Sequence, residues 1–366
     1  MRIERRLRQP RWLVVAVPAC SLVFAFFATG IVLEATGHSA LSSYRQIIDA
    51  AFLNSGALGQ TLVAATPLAF TGLAAAAAFR MRLFNIGAEG QLYVGAITSA
   101  AAGLYLGGKG GPSAFAIAAM VVAGCAGGAL WGLIPGMLRA FFKTNEIITS
   151  LMLNYVAAYL LTYLIFNTTS YWRDTTGFNA SVFPTSKTIP GAAFWPSWHI
   201  FPLGGGIAIL AALLLWFLYT RTRFGFEAQV LGDSPRAARY AGMRTRRKIL
   251  AVMAISGAAA GLGGASQVGD FAHQLDADPN GLQKQYYGYT GIVVAALARY
   301  NPLAVVVVAF LIGALQNAGN TLQGADFPSG LVGVMQGIIL FSALGGELLV
   351  RYRVRLGRTR PAVEAA

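Results

Sequence analysis

Apolar runs long enough to cross a lipid bilayer recur along nearly the whole of this chain, and they constrain its fold more than any other feature. A hydrocarbon core needs about 20 apolar helical residues per crossing. Runs of that order occupy Trp12–Leu33, Ala57–Phe79, Ile86–Leu106, Ser113–Leu138, Glu146–Phe166, Ile200–Thr220, Ile249–Gly269 and Ser329–Val350. Tyr286–Ala298 is shorter, and Pro302–Gly319 follows it after only Arg299, Tyr300 and Asn301. Backbone amides in lipid must be satisfied within the segment, so these runs are expected to be helices. Only 11% of the residues are charged, against about 25% in soluble domains, which excludes a soluble fold. The expectation is an all-α polytopic membrane protein of about ten transmembrane helices, with a basic tail at 1–11, a transmembrane domain at 12–350 and a second tail at 351–366.

The formal charge of +14 would suit a nucleic-acid partner only if it were clustered on a polar face. Long apolar runs separate the basic residues instead. Ten crossings with the N-terminus in the cytoplasm place 23 of the 28 basic residues inside, as the positive-inside rule requires. The outer segments keep only Arg45, Lys109, Arg173, Lys187 and Lys284, against Glu34, Asp49, Asp174, Asp270, Asp276, Asp278 and Asp326. Omitting Tyr286–Ala298 as a crossing would turn the Arg351–Arg360 tail outward, so both termini are expected in the cytoplasm. The first run, longer than a usual signal-peptide core and without a clear small-residue cleavage site, is expected to be a retained anchor.

Several chemistries find no support. His38, His199 and His273 have no second ligand at zinc spacing, and Cys20 and Cys125 lie in apolar runs, where cysteine acts as a small hydrophobe. Gly103–Gly110 nearly matches a phosphate loop but has Gly110 where Ser or Thr should ligate magnesium. No carboxylate is expected near the midplane to serve an ion-driven pump. The chain is therefore expected to hold no catalytic site, no metal and no nucleotide.

Three segments carry polar information. In Phe79–Gln91, the residues Asn85, Glu89 and Gln91 enter an apolar helix beside Gly87 and Gly90. Locally, Asn85 could cap the helix and Glu89 could pair with Arg80 or Arg82; alternatively, a broken helix here could line a translocation path. In Lys143–Tyr155, Thr149, Ser150 and Asn154 bring hydroxyls and an amide into the bundle, where they could bond neighbouring helices. The inner loop 221–248 contains Ser234 as an N-cap, Pro235 at the first helical position and Gly242 as a stop, which predicts a short helix over 234–241. Such a helix could enter a partner's groove, while the loop's arginines could serve topology or bind anionic lipid. In the outer loop 167–199, Tyr171, Trp172, Trp195 and Trp198 suit an interfacial belt or a docking surface.

The segments Asn85–Gln91 (NIGAEGQ), Asn145–Tyr155 (NEIITSLMLNY), Gly225–Met243 (GFEAQVLGDSPRAARYAGM) and Gly288–Pro302 (GYTGIVVAALARYNP) resemble the membrane permeases of bacterial ABC importers, in the nucleoside or simple-sugar branch. The likeness runs over most of 57–350, with the segments in the same order. It departs at Tyr289-Thr290, where the nucleoside branch often has an aromatic followed by an acid. The resemblance implies an inner-membrane permease paired with a second permease, identical or paralogous, two cytoplasmic ATPase subunits that bind ATP and Mg, and an extracytoplasmic solute-binding protein. It places an ATPase-coupling helix in the inner loop, with Glu227, Gly232, Asp233, Ser234, Ala237, Ala238, Tyr240, Ala241 and Gly242 as coupling candidates. Asn85, Glu89, Gln91, Asn154 and Tyr289 are the path candidates for a neutral hydroxylated solute moved by alternating access. A self-sufficient secondary transporter or channel is the alternative.

Overall fold

The computed structural model describes residues 2–5, 11–107, 113–167, 171–176, 184–277 and 282–322, with 330, 333–335, 337–339, 341–342, 345–346 and 352–355 beyond them. Two compact units partition the chain, one of 1–48 with 318–366 and one of 49–317. In the first unit, α1 (Arg11–Ala35) is followed by α2 (Ala40–Ile48), and β1 (Arg2–Arg5) pairs antiparallel with β4 (Tyr352–Arg355). Gly37 adopts φ +84° at the break after α1, and the helical path bends there by 118°. The expected single first crossing is thus followed by a second, amphipathic helix.

The second unit holds the sequence's most regular helices: α3 (Ala57–Phe79), α4 (Ala88–Gly107), α5 (Ser113–Phe142), α6 (Glu146–Phe166), α7 (Leu203–Arg221), α8 (Arg223–Asp233), α9 (Pro235–Tyr240), α10 (Thr245–Ser266), α11 (Tyr287–Leu297) and α12 (Pro302–Thr321). A small hairpin pairs β2 (Ser197–Trp198) with β3 (Phe201–Pro202), and a π-helical turn, Gln267–Ala272, extends α10. Among the described residues six helices are long and apolar enough to cross a membrane, or seven if the bent pair is one crossing. The expected ten differ for specific reasons. Polar residues at the start of α4 dilute its apolarity, α11 has only 11 residues, and half of the run 329–350 lies outside the described residues. A helix the length of α11 rises about 16 Å, roughly half a hydrocarbon core.

Small residues bring the central helices together. A side chain at Gly95 of α4 would run into the backbone of Gly261 on α10, and one at Gly128 of α5 would meet the Gly257 carbonyl. Lipid tails provide no hydrophobic drive between helices, so close backbone approach and dispersion contact supply the cohesion. Helices α4, α5 and α10 form this dense centre, and α3 and α11 pack beside it with Leu68, Phe70, Leu73, Val294 and Ala295 fully or nearly fully buried. Trp195 is buried against Gly269, and its amide donates to the Gly269 carbonyl at 3.0 Å. This removes Trp195 from the expected interfacial belt, whereas Tyr171 and Trp198 remain exposed.

Candidate functional site

The chain between α3 and α4 does not simply turn at the membrane surface. After Arg82, which ends the turn with φ 54°, residues 83–87 run back into the bundle and α4 begins inside it. The start of α4 faces the start of α11, which is fixed by a bond from Thr71 Oγ1 to the Tyr287 carbonyl at 2.9 Å. Thr71 lies about two turns, roughly 12 Å, from the inner end of α3. Two helix N-termini therefore meet at depth within the unit.

Glu89 occupies that meeting point and is 2% exposed. One carboxylate oxygen accepts from the Tyr93 hydroxyl, and the other accepts from the amides of Gly288 and Tyr289 at the first turn of α11. The positive ends of both helix dipoles and the three donors offset part of the cost of burying this carboxyl. Gly288 has no alternative, because any side chain on it would strike the Glu89 backbone. The local pairings of Glu89 with Arg80 or Arg82 are not formed. Arg80 donates to the Tyr300 carbonyl at 3.0 Å, and Arg82 pairs with Asp233 at 2.7 Å.

The neighbouring amides form a second layer. Asn85 and Gln91 exchange side-chain bonds at 2.9 and 3.1 Å, and Asn85 also donates to Ser256 Oγ at 2.8 Å. Ser256 passes the connection to the Ala74 carbonyl at 2.7 Å. Asn85 Oδ1 accepts the Gly87 amide at 3.0 Å, so the residue does stabilise the start of α4, as a cap would. From α6, Asn154 accepts from the Gly90 amide and donates to the Ile86 carbonyl, each at 2.9 Å, and donates to the Tyr289 hydroxyl at 3.2 Å. Ser150 accepts the Ile86 amide at 3.2 Å.

The structure thus brings the five path candidates to the start of α4 in two bonded groups, Asn85 with Gln91, and Glu89 and Asn154 with Tyr289. Asn85, Glu89, Gln91 and Asn154 are buried, and only Tyr289 is partly open. Sequence reasoning missed Tyr93, Ser256, Gly288, Thr71 and the Gln267–Tyr287 pair, bonded at 2.8 Å. Helical spacing from Glu89 could have found Tyr93; the others come from distant segments and leave no local signal.

The loop 221–248 has the expected helix. Ser234 Oγ accepts the Ala237 amide at 3.3 Å, Pro235 opens α9, and Gly242 closes it with φ +72°. Its candidates divide into two groups. Glu227 pairs with Lys248 at 2.7 Å, Asp233 pairs with Arg82, and Gly232 packs on the Arg80–Met81 backbone, so these three anchor the loop. Ser234, Ala237, Tyr240, Ala241 and Gly242 are exposed, with Tyr240 at 95%. Ala238 is 0% exposed and faces its own chain, so it cannot be a contact that enters a partner's groove. Beside α9 lies an open groove of about 460 Å³ bordered by Phe224, Met243, Arg244 and Arg247.

Comparison with known proteins adds the context. The family model described as branched-chain amino acid transport system, permease component, matches residues 57–344. The guanosine ABC transporter permease protein NupP of Bacillus subtilis is 34% identical over 88% of this chain and 91% of that one. The glucose ABC transporter permease protein TsgB13 of Haloferax volcanii is 30% identical over 100% of this chain and 96% of that one. A second Bacillus subtilis relative, the guanosine ABC transporter permease protein NupQ, is 26% identical over 70% of this chain and 79% of that one.

Proposed function

Because the chain belongs to the family of branched-chain amino acid transport system permease components, it is a multi-pass membrane permease subunit and not an enzyme, and we propose that it carries a nucleoside, or next a simple sugar, inward. Its work comes from ATP hydrolysed on separate cytoplasmic subunits, in a bacterial inner membrane. It pairs with a second permease; that Bacillus subtilis has two different guanosine permease proteins, NupP and NupQ, favours a paralogous partner over an identical one. An extracytoplasmic binding protein delivers the solute to the outer side. The full arrangement has about ten crossings, both termini inside, and 221–248 as the coupling loop.

The observation that carries the substrate proposal is the neutrality of the interior. Asn85, Gln91, Ser150, Asn154 and Ser256 are neutral amides and hydroxyls that bond within the chain, and the Glu89 carboxylate is already taken by two amides and a phenol. An amino-acid zwitterion would need unoccupied charge of both signs, whereas a hydroxyl-rich neutral solute does not. ATP-driven closure of the partner subunits presses on the exposed face of α9, and rearrangement at the α4–α11 junction then opens the path inward. Reconstitution of the assembled complex into proteoliposomes tests this. Uptake of labelled nucleosides should exceed that of pentoses and branched-chain amino acids and should require both ATP and binding protein; equal uptake without ATP would overturn it.

A further inference from the structure

Helices α6 and α7 are comparably open, with 22% and 28% of their crossing windows buried, yet their exposed faces differ in chemistry. The α7 face presents Ile209, Leu210, Leu213, Leu214 and Phe217. Its one tyrosine, Tyr219, is buried and donates to the Ala77 carbonyl at 2.8 Å. On α6, Tyr155, Tyr159 and Tyr163 are 56%, 72% and 63% exposed. Spaced four apart, they form one slanting stripe. Among the described residues, the open faces of α5 and α12 carry no phenol.

Depth decides what this stripe can face. Counting about 1.5 Å per residue from Glu146, Tyr155 and Tyr159 sit roughly 14 and 20 Å into a helix about 30 Å long. An interfacial belt accounts for tyrosines near a membrane surface, which suits Tyr163 but not the other two. A hydroxyl left unpaired in hydrocarbon costs about 2–7 kcal/mol, so two phenols at mid-depth argue against a face turned to lipid. The stripe begins beside the site already described. Asn154, next to Tyr155, bonds the Tyr289 hydroxyl, and the Tyr289 ring lies 6.3 Å from that of Tyr286. Tyr286 is 60% exposed and holds φ 49° at the α11 N-cap, a conformation that bulky residues rarely adopt outside constrained sites.

We propose that Tyr155, Tyr159 and Tyr163, continued by Tyr289 and Tyr286, form a water-exposed ladder along which the solute's ring stacks and its hydroxyls bond during passage. The identity of the solute rests on the nucleoside proposal above; the exposure of the ladder to water does not. Phenol rings accept the flat face of a base, and their hydroxyls exchange partners with ribose hydroxyls, so the surface can pass a solute without trapping it.

The test uses the assembled complex in a background of Cys20→Ser and Cys125→Ala. Thiols react as thiolates, which need water, so Tyr159→Cys should react with a membrane-impermeant thiol reagent at least an order of magnitude faster than Leu213→Cys on α7. Tyr155→Cys provides the same measurement should one variant fail to assemble. Equal unreactivity of the α6 and α7 positions would overturn the proposal, as would reactivity seen only before the partner permease is added, which would make the stripe a subunit interface. In uptake assays Tyr159→Leu should raise KM for a nucleoside several-fold, and Tyr159→Phe should raise it less. Fast labelling with no nucleoside uptake in the parent complex would leave the ladder standing and remove the nucleoside, whereas unchanged kinetics in Tyr159→Leu would remove the stacking role.

Discussion

Two polar regions stand out from this apolar chain, and they differ in where their polar groups find partners. At the α4–α11 junction, Asn85, Glu89, Gln91 and Asn154 are buried and bonded to groups of the same chain. Around α9, the anchors Asp233 and Glu227 are paired, but the outward side presents Arg236, Arg239 and a nearly fully exposed Tyr240. A self-satisfied cluster holds a shape; an open one awaits another molecule. Under the function proposed above, the junction is the gating geometry and the loop the partner contact, and mutations at the two places then have different signatures.

The largest effect is expected at Glu89. Glu89→Gln keeps the shape, and its oxygen can still accept from the α11 amides, but its NH2 then faces the Tyr93 hydroxyl, which must turn from donor to acceptor, and the charge assistance is lost. Charge-assisted bonds of this type contribute about 1.5–3 kcal/mol each, so the variant should lose thermal stability in detergent and transport together. Retained stability with lost transport would turn the junction from a structural lock into a solute contact. Glu89→Asp, with a shorter reach, should recover little.

Next in size is a pair of changes on α9 that separates its two faces. Ala238→Arg forces a long charged side chain into a site with no exposure and should unfold the loop, at a cost of several kcal/mol typical of a buried unpaired charge. Tyr240→Ala removes only an exposed ring and should leave stability within about 0.5 kcal/mol, while uncoupling ATP hydrolysis from uptake. If Tyr240→Ala transports normally, the exposed face of α9 is not the docking surface. Ser234→Ala should lie between them, costing about 1 kcal/mol through loss of the cap and lowering coupling only as far as the helix frays.

How much of this was legible in the sequence follows the same division. The bounds of α3 and α6 match the apolar runs Ala57–Phe79 and Glu146–Phe166, and the cap, proline and stop of α9 appear where local chemistry put them. Such features depend on residues a few positions apart. The bond from Gly288 to Glu89 spans 199 residues, and no periodicity encodes it. The inward turn of Ala238 was hidden for a related reason. An alanine on a six-residue helix is equally suited to either face, and only packing against the rest of the chain chooses. Trp195 was misplaced because an aromatic near a membrane surface reads as interfacial until Gly269 is seen to leave room for it.

The smallest effects test the anchors that hold the loop in place. Arg82 and Asp233 meet at 2.7 Å with side chains 64% and 57% exposed, and exposed pairs of this kind contribute below about 1 kcal/mol. Lys248 and Glu227 also meet at 2.7 Å but are only 18% and 28% exposed, with the Lys248 ammonium 4.2 Å above the Phe224 ring. Added salt should therefore weaken the first pair more than the second, and Asp233→Asn should matter less in high salt than Glu227→Gln does. The bond to Lys248 holds the Glu227 carboxyl below its ordinary value of 4.5. A carboxylate lowered by folding stabilises the folded form above its unfolded pKa, and that contribution fades as pH falls through the folded one. Coupling should accordingly be insensitive to pH near neutrality and should weaken only below about pH 4.5, a dependence that Glu227→Gln abolishes. Coupling that instead titrates near neutral pH in the parent, and does so unchanged in Glu227→Gln, would show that this anchor does not set the position of α9.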